Sequence, residues 1–307
     1  MEHLNAIALT MLRPQLSPIQ LMEMYREAGS ATAIVEARNH LQDVLPDVSM
    51  RVKEVMKDID NALAKAQEEI AYAEKHSIKI LTPDDAEYPQ RLKECIDAPL
   101  VLYYLGNGNL NSHHIVNMIG TRKCTTYGQD VIRNFVRDLK KLCPDTLIVS
   151  GLAYGVDINS HREALANGMN TIGVVAHGLD TLYPAVHRET AKMMVSHGGI
   201  LTEYPRNTRP DKRNFVQRNR IVAGMSDACI LVESAARDGG LITVGISNSY
   251  NRDVFAFPGN VGATYSEGCN KMIRDHQAQL ITSAEDFVNF MGWEKAEEGK
   301  TYIGAGS

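Results

Sequence analysis

The sequence predicts an α/β protein: a doubly wound, mostly parallel sheet preceded by a small all-helical N-terminal domain. Three observations lead there. From Leu100 onward short apolar runs alternate with helical patterns, and strand–helix–strand repetition places helices on both faces of a parallel sheet. Residues 1–77 read as helix throughout, with no strand-like alternation. A chain of 307 residues is also long for one domain, so two are expected.

The N-terminal segment MEHLNAIALTMLRPQLSP breaks its apolar positions with polar ones, as an amphipathic helix does. Short helices are expected over Ile19–Arg26 and Ala31–Leu41, separated by breaks at Pro14, Pro18 and Pro46. After Ser49, the positions Val52, Val55, Met56, Ile59, Leu63, Ala66, Ile70 and Ala73 follow helical spacing. From Ile78 the pattern changes, and KILTPDDAEYPQRLKECIDAPLVLYYLG reads as a connector opening a second domain over 78–292. Candidate strands are Leu100–Leu105, Ile115–Ile119, Thr146–Val149, Thr171–Val175, Gly199–Thr202, Ala228–Val232, Val254–Ala256 and Gln279–Ile281. Helical patterns such as Val131–Leu142, His187–His197 and Phe215–Ala223 fill most of the gaps. The tail 293–307 is polar and Gly-rich and is expected to be disordered.

A hydrophobic fraction of 44% and a charged fraction of 22% are those of a folded soluble protein. No apolar run is long enough to span a bilayer, and the start lacks the order of a secretory signal, so a cytoplasmic location is expected. The five cysteines are odd in number and form no CxxC pair, which argues against a disulfide framework or zinc cluster. Cys143 and Cys229 read as core; Cys124 and Cys269 lie in loop-like motifs that leave room for an exposed thiol, and all five are expected to be reduced and uncommitted. The histidines, His113-His114 included, show no metal-ligand spacing, and neither metal nor cofactor is expected. The net charge is -5, yet Arg206–Arg220 carries six basic residues and one acid. A local field of that sign asks for an anionic partner.

In open parallel sheets ligands bind beyond the carboxyl ends of the strands, and the informative residues fall there. The first such end, NMIGTRKCTTYG, offers Gly120, Thr121 and Arg122 before a helix starting near Tyr127, where free amides favour an anion. Taken alone, Gly-Thr-Arg is equally an ordinary strand-to-helix loop. The second, IVSGLAYGVDINSH, places Ser150, Gly151 and Gly155 in a small-residue turn resembling a phosphate cradle, without GxGxxG or GK[ST] spacing. Asp157 is read as a cap or loop-ordering residue in preference to a chemical one, and His161, on the same helical face, as a structural hydrogen-bonding partner. In the basic segment Asn214 is expected to cap a helix with Phe215 in its first turn and Arg218 a turn later. Lys212 precedes the ring by three residues, and an aromatic beside cations suits an unpaired base with its phosphate. A buried Phe215 among solvated arginines fits the residue types equally well. The last end, VESAARDGGLITVGIS, opens a helix at Gly239-Gly240 with Thr243 in its first turn and Arg237 nearby. Lys271 and Arg274 beyond it suit a solvated face or a phosphate contact. Four glycine-bearing strand ends with arginines are expected to converge on one electropositive crevice.

These motifs resemble the DNA-processing protein A (DprA/Smf) family over nearly the whole chain. The carriers are IGTRKCTTYG, SGLAYGVDINSH, HGLDTLYP, TEYP, NFVQRNRIVAG, ARDGGLIT, FPGN, GCNKMIRD and ITSAED, in that order. The resemblance implies an extended Rossmann-like domain that binds single-stranded DNA and loads the RecA recombinase in natural transformation and recombination. It also implies a homodimer. Carried over by motif, its DNA site takes in Arg122, with Thr121 where serine is usual, and Gly155, Lys212, Phe215 and Arg218. The N-terminal domain is similar to sterile-alpha-motif-like or helix-hairpin-helix regions, although LRPQLSPIQL lacks the glycine turn of a phosphate-gripping hairpin. Many members add a C-terminal winged helix; this chain ends about where that would begin.

The rival reading is an enzyme of the lysine-decarboxylase-like phosphoribohydrolase type on the same scaffold, whose PGGxGTxxE element carries a working glutamate. Here DGGLITVGIS has no acid after Thr243. A mononucleotide sensor is a second rival. The sequence favours a non-enzymatic DNA-binding protein in which Gly120, Thr121, Arg122, Ser150, Gly151, Gly155, Lys212, Asn214, Phe215, Arg218, Gly240 and Thr243 form the site.

Overall fold

The computed structural model describes residues 1–12 and 16–296. The N-terminal part is helical: α1 (Glu2–Met11), α2 (Pro18–Ala28), α3 (Ala31–Glu36), α4 (Met50–Val55) and α5 (Ile59–Lys75). Ser17 starts α2 with a capping box, its hydroxyl accepting from the Gln20 amide at 3.2 Å while the Gln20 side chain accepts from the Ser17 amide at 3.1 Å. The break expected at Pro14 lies outside the described residues. Two helices differ from their expected extents. The helix begun at Ala31 stops at Glu36, and the long helix after Ser49 is interrupted by a 3-10 turn over Met56–Asp58.

The rest alternates strand and helix. In chain order come β1 (Lys79–Leu81), α6 (Gln90–Lys93), β2 (Leu102–Gly106), β3 (Ile115–Ile119), α7 (Thr126–Leu142), β4 (Leu147–Ser150), α8 (Val156–Ala166) and β5 (Thr171–Val174). Then follow α9 (Arg188–Ser196), β6 (Gly198–Thr202), α10 (Lys212–Gly224), β7 (Ala228–Leu231), α11 (Gly240–Ser249), β8 (Asp253–Ala256), α12 (Glu267–Arg274), β9 (Gln279–Leu280) and α13 (Ala284–Met291). Among the described residues they form one nine-stranded sheet, ordered β1-β2-β6-β5-β4-β3-β7-β8-β9. Strands β3 to β9 pair in parallel, while β1 and β2 add antiparallel to the β6 edge. The connector therefore contains a strand that its sequence did not announce.

Alternation along the strands divides the core. In β3, Ile115 and Ile119 join the apolar cluster on one face, and Val116 and Met118 the cluster on the other. The first cluster runs without interruption from Ile7, Leu9 and Ile59 in the helical part to Leu102, Leu147 and Leu201 in the sheet. The second holds Ile132, Phe135, Val136 and Leu139 of α7, spaced as one helical face, with Phe287 of α13. Trp293, expected in a disordered tail, instead stacks on His114 with ring centroids 4.0 Å apart and 17° between planes. Residues 297–307 of that tail lie outside the described residues.

The winding reverses at β3: β4, β5 and β6 extend to one side, β7, β8 and β9 to the other. The loops leaving β3 and β7 must therefore diverge, which opens a crevice at the carboxyl ends of these strands.

Candidate functional site

A crevice of about 1500 Å³ occupies this reversal point. Of the residues nominated from sequence, Gly120, Thr121, Arg122, Gly151, Lys212, Phe215, Arg218, Gly240 and Thr243 line it together. The loops are held shut around it from within. Gly155 has φ +78°, and a Cβ there would lie 2.1 Å from the Thr121 carbonyl oxygen. Gly155 thus lets the loop after β4 close on the loop after β3, and it does not line the crevice itself.

Two of the expected anion cradles are filled by the protein's own acids. At the start of α7 the buried Glu233 carboxylate accepts from the Thr125 amide at 2.8 Å and from the Thr125 hydroxyl at 2.6 Å. At the start of α8 the buried Asp157 carboxylate accepts from the Ala153 amide at 3.2 Å, ordering the loop. His161 does not pair with Asp157; it bonds Thr171 Oγ1 at 2.7 Å and the Gly151 carbonyl. Burial pushes its imidazole down to about 4, so the ring is neutral near pH 7. Ser150 is likewise turned inward, its hydroxyl donating to the Met118 carbonyl at 2.6 Å. The end that stays open belongs to α11. Gly239 borders the crevice with nothing within 4 Å of where its Cβ would stand, so a ligand can approach that backbone closely.

The basic segment splits by partner. Arg220 is buried against Glu203, donating at 2.7 Å and 2.9 Å to its two oxygens. Arg206 reaches Glu68 and Glu69 of α5. Arg218 is buried in the crevice floor, where its guanidinium donates to the Val174 carbonyl. Burial lowers its pKa below the usual arginine value. It lies deeper in the crevice than the exposed cations of the rim. That leaves Arg209, Lys212 and Arg213, which are exposed and, with the equally exposed Arg122 and Lys123, take part in no ion pair among the described residues. The acids lining the crevice are each tied to a backbone amide: Asp157 to Ala153, Asp180 to Asn207, Asp211 to Arg213 and Asp238 to Ala235. The rim thus presents uncompensated cations above engaged carboxylates.

Asn214 does not cap its helix. Asp211 is the N-cap of α10, and Asn214, inside the first turn, faces a second cavity beside α5. Phe215 is half-buried at the crevice wall. The Arg122 guanidinium lies 5.6 Å from its ring centroid, and the Tyr183 ring stands 5.9 Å away, tilted by 52°. Sequence reasoning did not nominate Tyr183, Lys123 or Arg209. The signals were present in HGLDTLYP, in the lysine after Arg122 and in the basic run, but nothing local showed which side chains turn inward. Cys269, whose loop-like motif left exposure open, is buried against the Leu231 carbonyl, and Cys124 is half-buried. Among the described residues no three His, Cys, Asp or Glu side chains gather to hold a metal ion, and no helix is long and apolar enough to cross a membrane.

This geometry has counterparts. The family model described as DNA recombination-mediator protein A matches residues 79–292. The Bacillus subtilis DNA processing protein DprA is 32% identical over 284 residues, covering 92% of this chain and 93% of that protein. A putative DprA of Mycobacterium tuberculosis is 35% identical over 241 residues, covering 74% of this chain; the chain spans only 61% of that relative's length. The solved Streptococcus pneumoniae DprA superposes with a TM-score of 0.69 at 28% identity, covering 89% of this chain and 98% of that one. A Helicobacter pylori DprA, whose structure concerns its single-stranded DNA binding mode, superposes with a TM-score of 0.63 at 29% identity, covering 70% of this chain and 95% of that one. With the motifs, the reversal-point crevice and these matches in agreement, the chain belongs to the DNA recombination-mediator protein A (DprA/Smf) family of DNA-processing proteins.

Proposed function

We propose that the crevice binds single-stranded DNA with little regard for sequence and without chemical turnover. The observation that carries this is the unpaired cation rim (Arg122, Lys123, Arg209 and Lys212) that lines the crevice with the half-buried Phe215 ring. Cations without acidic partners supply phosphate contacts, and an aromatic face accepts any unpaired base, because every base has a π-face. The backbone end of α11 at Gly239-Gly240 adds an anion-friendly helix start with room beside it. Against the phosphoribohydrolase reading stands α11 itself, which carries no acid from Gly240 to Ser249. The crevice carboxylates are engaged by amides, which suits ordering loops more than attacking a ribose bond.

Family membership extends the proposal to protecting incoming DNA, loading the RecA recombinase in transformation and recombination, and acting as a homodimer. The description of the family as recombination mediators and the single-stranded DNA binding of the Helicobacter pylori relative support it. A dimer would present two crevices to one strand and raise avidity.

The test is fluorescence anisotropy of a labelled oligo-dT at about 50 and 200 mM salt. Four phosphate contacts give a salt slope near -3 and a loss of roughly 50-fold between those conditions. Duplex of the same length is expected to bind more weakly. Absence of binding at both salts would end this reading and direct attention to mononucleotides. RecA filament assembly on the bound oligonucleotide then tests the loading step.

A further inference from the structure

The helical part holds a segment that leads into the crevice. The Arg206 amide donates to Glu69 Oε1 at 2.9 Å, its Nε to Glu69 Oε2 at 3.2 Å and its Nη2 to Glu68 Oε2 at 2.7 Å. The same guanidinium lies 5.6 Å from the Tyr72 ring centroid, so three residues of α5 grip one arginine of the sheet domain. Glu69 is only 4% exposed and shares its helix face with the buried Ala66 and Ala73. A buried carboxylate is costly unless paired, and ion pairs of this kind are often no stronger than apolar packing. Burial raises the Glu69 pKa above its ordinary value even with Arg206 beside it.

The segment that follows runs into the crevice wall. Asn207, at φ +65°, donates its amide to Asp180 at 3.0 Å, and the Thr208 carbonyl accepts from the Gly178 amide at 3.0 Å. Arg209 and Pro210 then enter the crevice wall, and Asp211 caps the helix that carries Lys212 and Phe215. Asn207 and Thr208 border both the crevice and the cavity of about 720 Å³ beside α5. Two residues, Asn207 and Thr208, separate the clasp from Arg209, at most about 10 Å of chain, so the clasp adds a third anchor to those at Asp180 and Gly178 just before that cation.

We propose that Glu69 is a positioning residue for the DNA site: by clasping Arg206 it holds the 205–211 segment, and the helical part thereby shapes a crevice it does not line. This rests on the single-stranded-DNA reading of that crevice. The sign of one measurement separates it from plain electrostatics. Removing an acid near a polyanion site strengthens binding by Coulomb's law alone; loss of the clasp weakens it.

The experiment compares the full chain with Glu69→Ala and Glu69→Gln, using dT anisotropy across salt and hydrogen exchange of residues 205–211 without DNA. Glu69→Ala is expected to bind about 5-fold more weakly, with a salt slope shallower by about 0.7 as one phosphate contact is lost, and with faster exchange in the segment. Glu69→Gln, which keeps size and an acceptor for the Arg206 amide, is expected between it and the wild type, and carries the test if Glu69→Ala does not fold. Binding as tight as wild type or tighter in a folded variant, or unchanged exchange in the segment, overturns the proposal. If the wild type itself fails to bind dT, the DNA reading has failed. Exchange alone then decides whether Glu69 holds the segment.

Discussion

The Arg122 guanidinium carbon lies 5.6 Å from the centroid of the Phe215 ring, joining the loop after β3 to the first turn of α10 across the crevice. On the proposed DNA-binding reading, the contact sets a cation for phosphate and a face for a base within one nucleotide's reach. The ring is partly covered, on one side by Arg122 and beside it by Tyr183. A base that stacks on Phe215 must share the ring with the guanidinium or displace it. In either case the two residues are coupled.

Phe215→Ala is expected to cost roughly 1–3 kcal/mol of DNA affinity, the usual worth of one stacked base. The salt slope is expected to stay as in the wild type, because no charge is removed. Anisotropy with dT checks both, and a folded variant with full affinity would remove Phe215 from the site.

Lys212→Ala is expected to weaken binding by a similar factor for dT, dC and mixed oligonucleotides. Its salt slope is expected to be shallower by about 0.7. A loss confined to one base composition would assign the lysine to base reading in place of phosphate binding. The double variant with Arg122→Ala is expected to shift the slope by about twice as much.

Gly155→Ala is expected to lower the melting temperature, with a cost above about 1 kcal/mol for the positive φ alone. Its Cβ would also meet the Thr121 carbonyl oxygen at 2.1 Å, so the Thr121-Arg122 loop must move and DNA affinity falls with stability. Gly168→Ala provides the control: it shares the positive φ, at +64°, but nothing lies within 4 Å of its Cβ. Equal effects in thermal melts and anisotropy would show that the loop contact has no role.

His161 makes the fold acid-sensitive. Burial holds its pKa at about 4 against an ordinary 6.5, so below pH 6.5 the unfolded chain takes up a proton that the folded one refuses. Stability is therefore fully present above pH 6.5 and is lost as pH falls toward 4, by about 2 kcal/mol between pH 7 and pH 5. Buried His177, whose pKa is also lowered by burial, pulls the same way. Denaturant melts across this range check it: His161→Gln is expected to be less stable at pH 7 but to show a flatter pH profile.

Much of this molecule is legible along the chain. The runs Ile115–Ile119 and Thr171–Val174 are buried throughout, and the Ile132–Leu139 stripe of α7 has helical spacing, so strand and helix follow from side-chain periodicity. The glycine-bearing strand ends mark where the loops crowd, and they do converge on the crevice. Strand β1 is not legible, because Lys79–Leu81 is short and gains its ladder from β2, more than twenty residues later.

The site shows the same division. The sequence by itself determined that a basic segment with an aromatic would stand at the carboxyl edge of a parallel sheet. Only the tertiary structure decided which charges remain available. Arg206 is taken by Glu68 and Glu69, Arg220 by Glu203 and Arg218 by the Val174 carbonyl, while Glu233 fills the anion cradle of α7. Apart from Glu203, each partner lies dozens of residues away along the chain and is brought up by the tertiary fold, Glu68 and Glu69 by the packing of α5 and the others by the winding of the sheet. A local pattern records a residue's charge and helical face; whether that charge meets solvent depends on what the fold places opposite it.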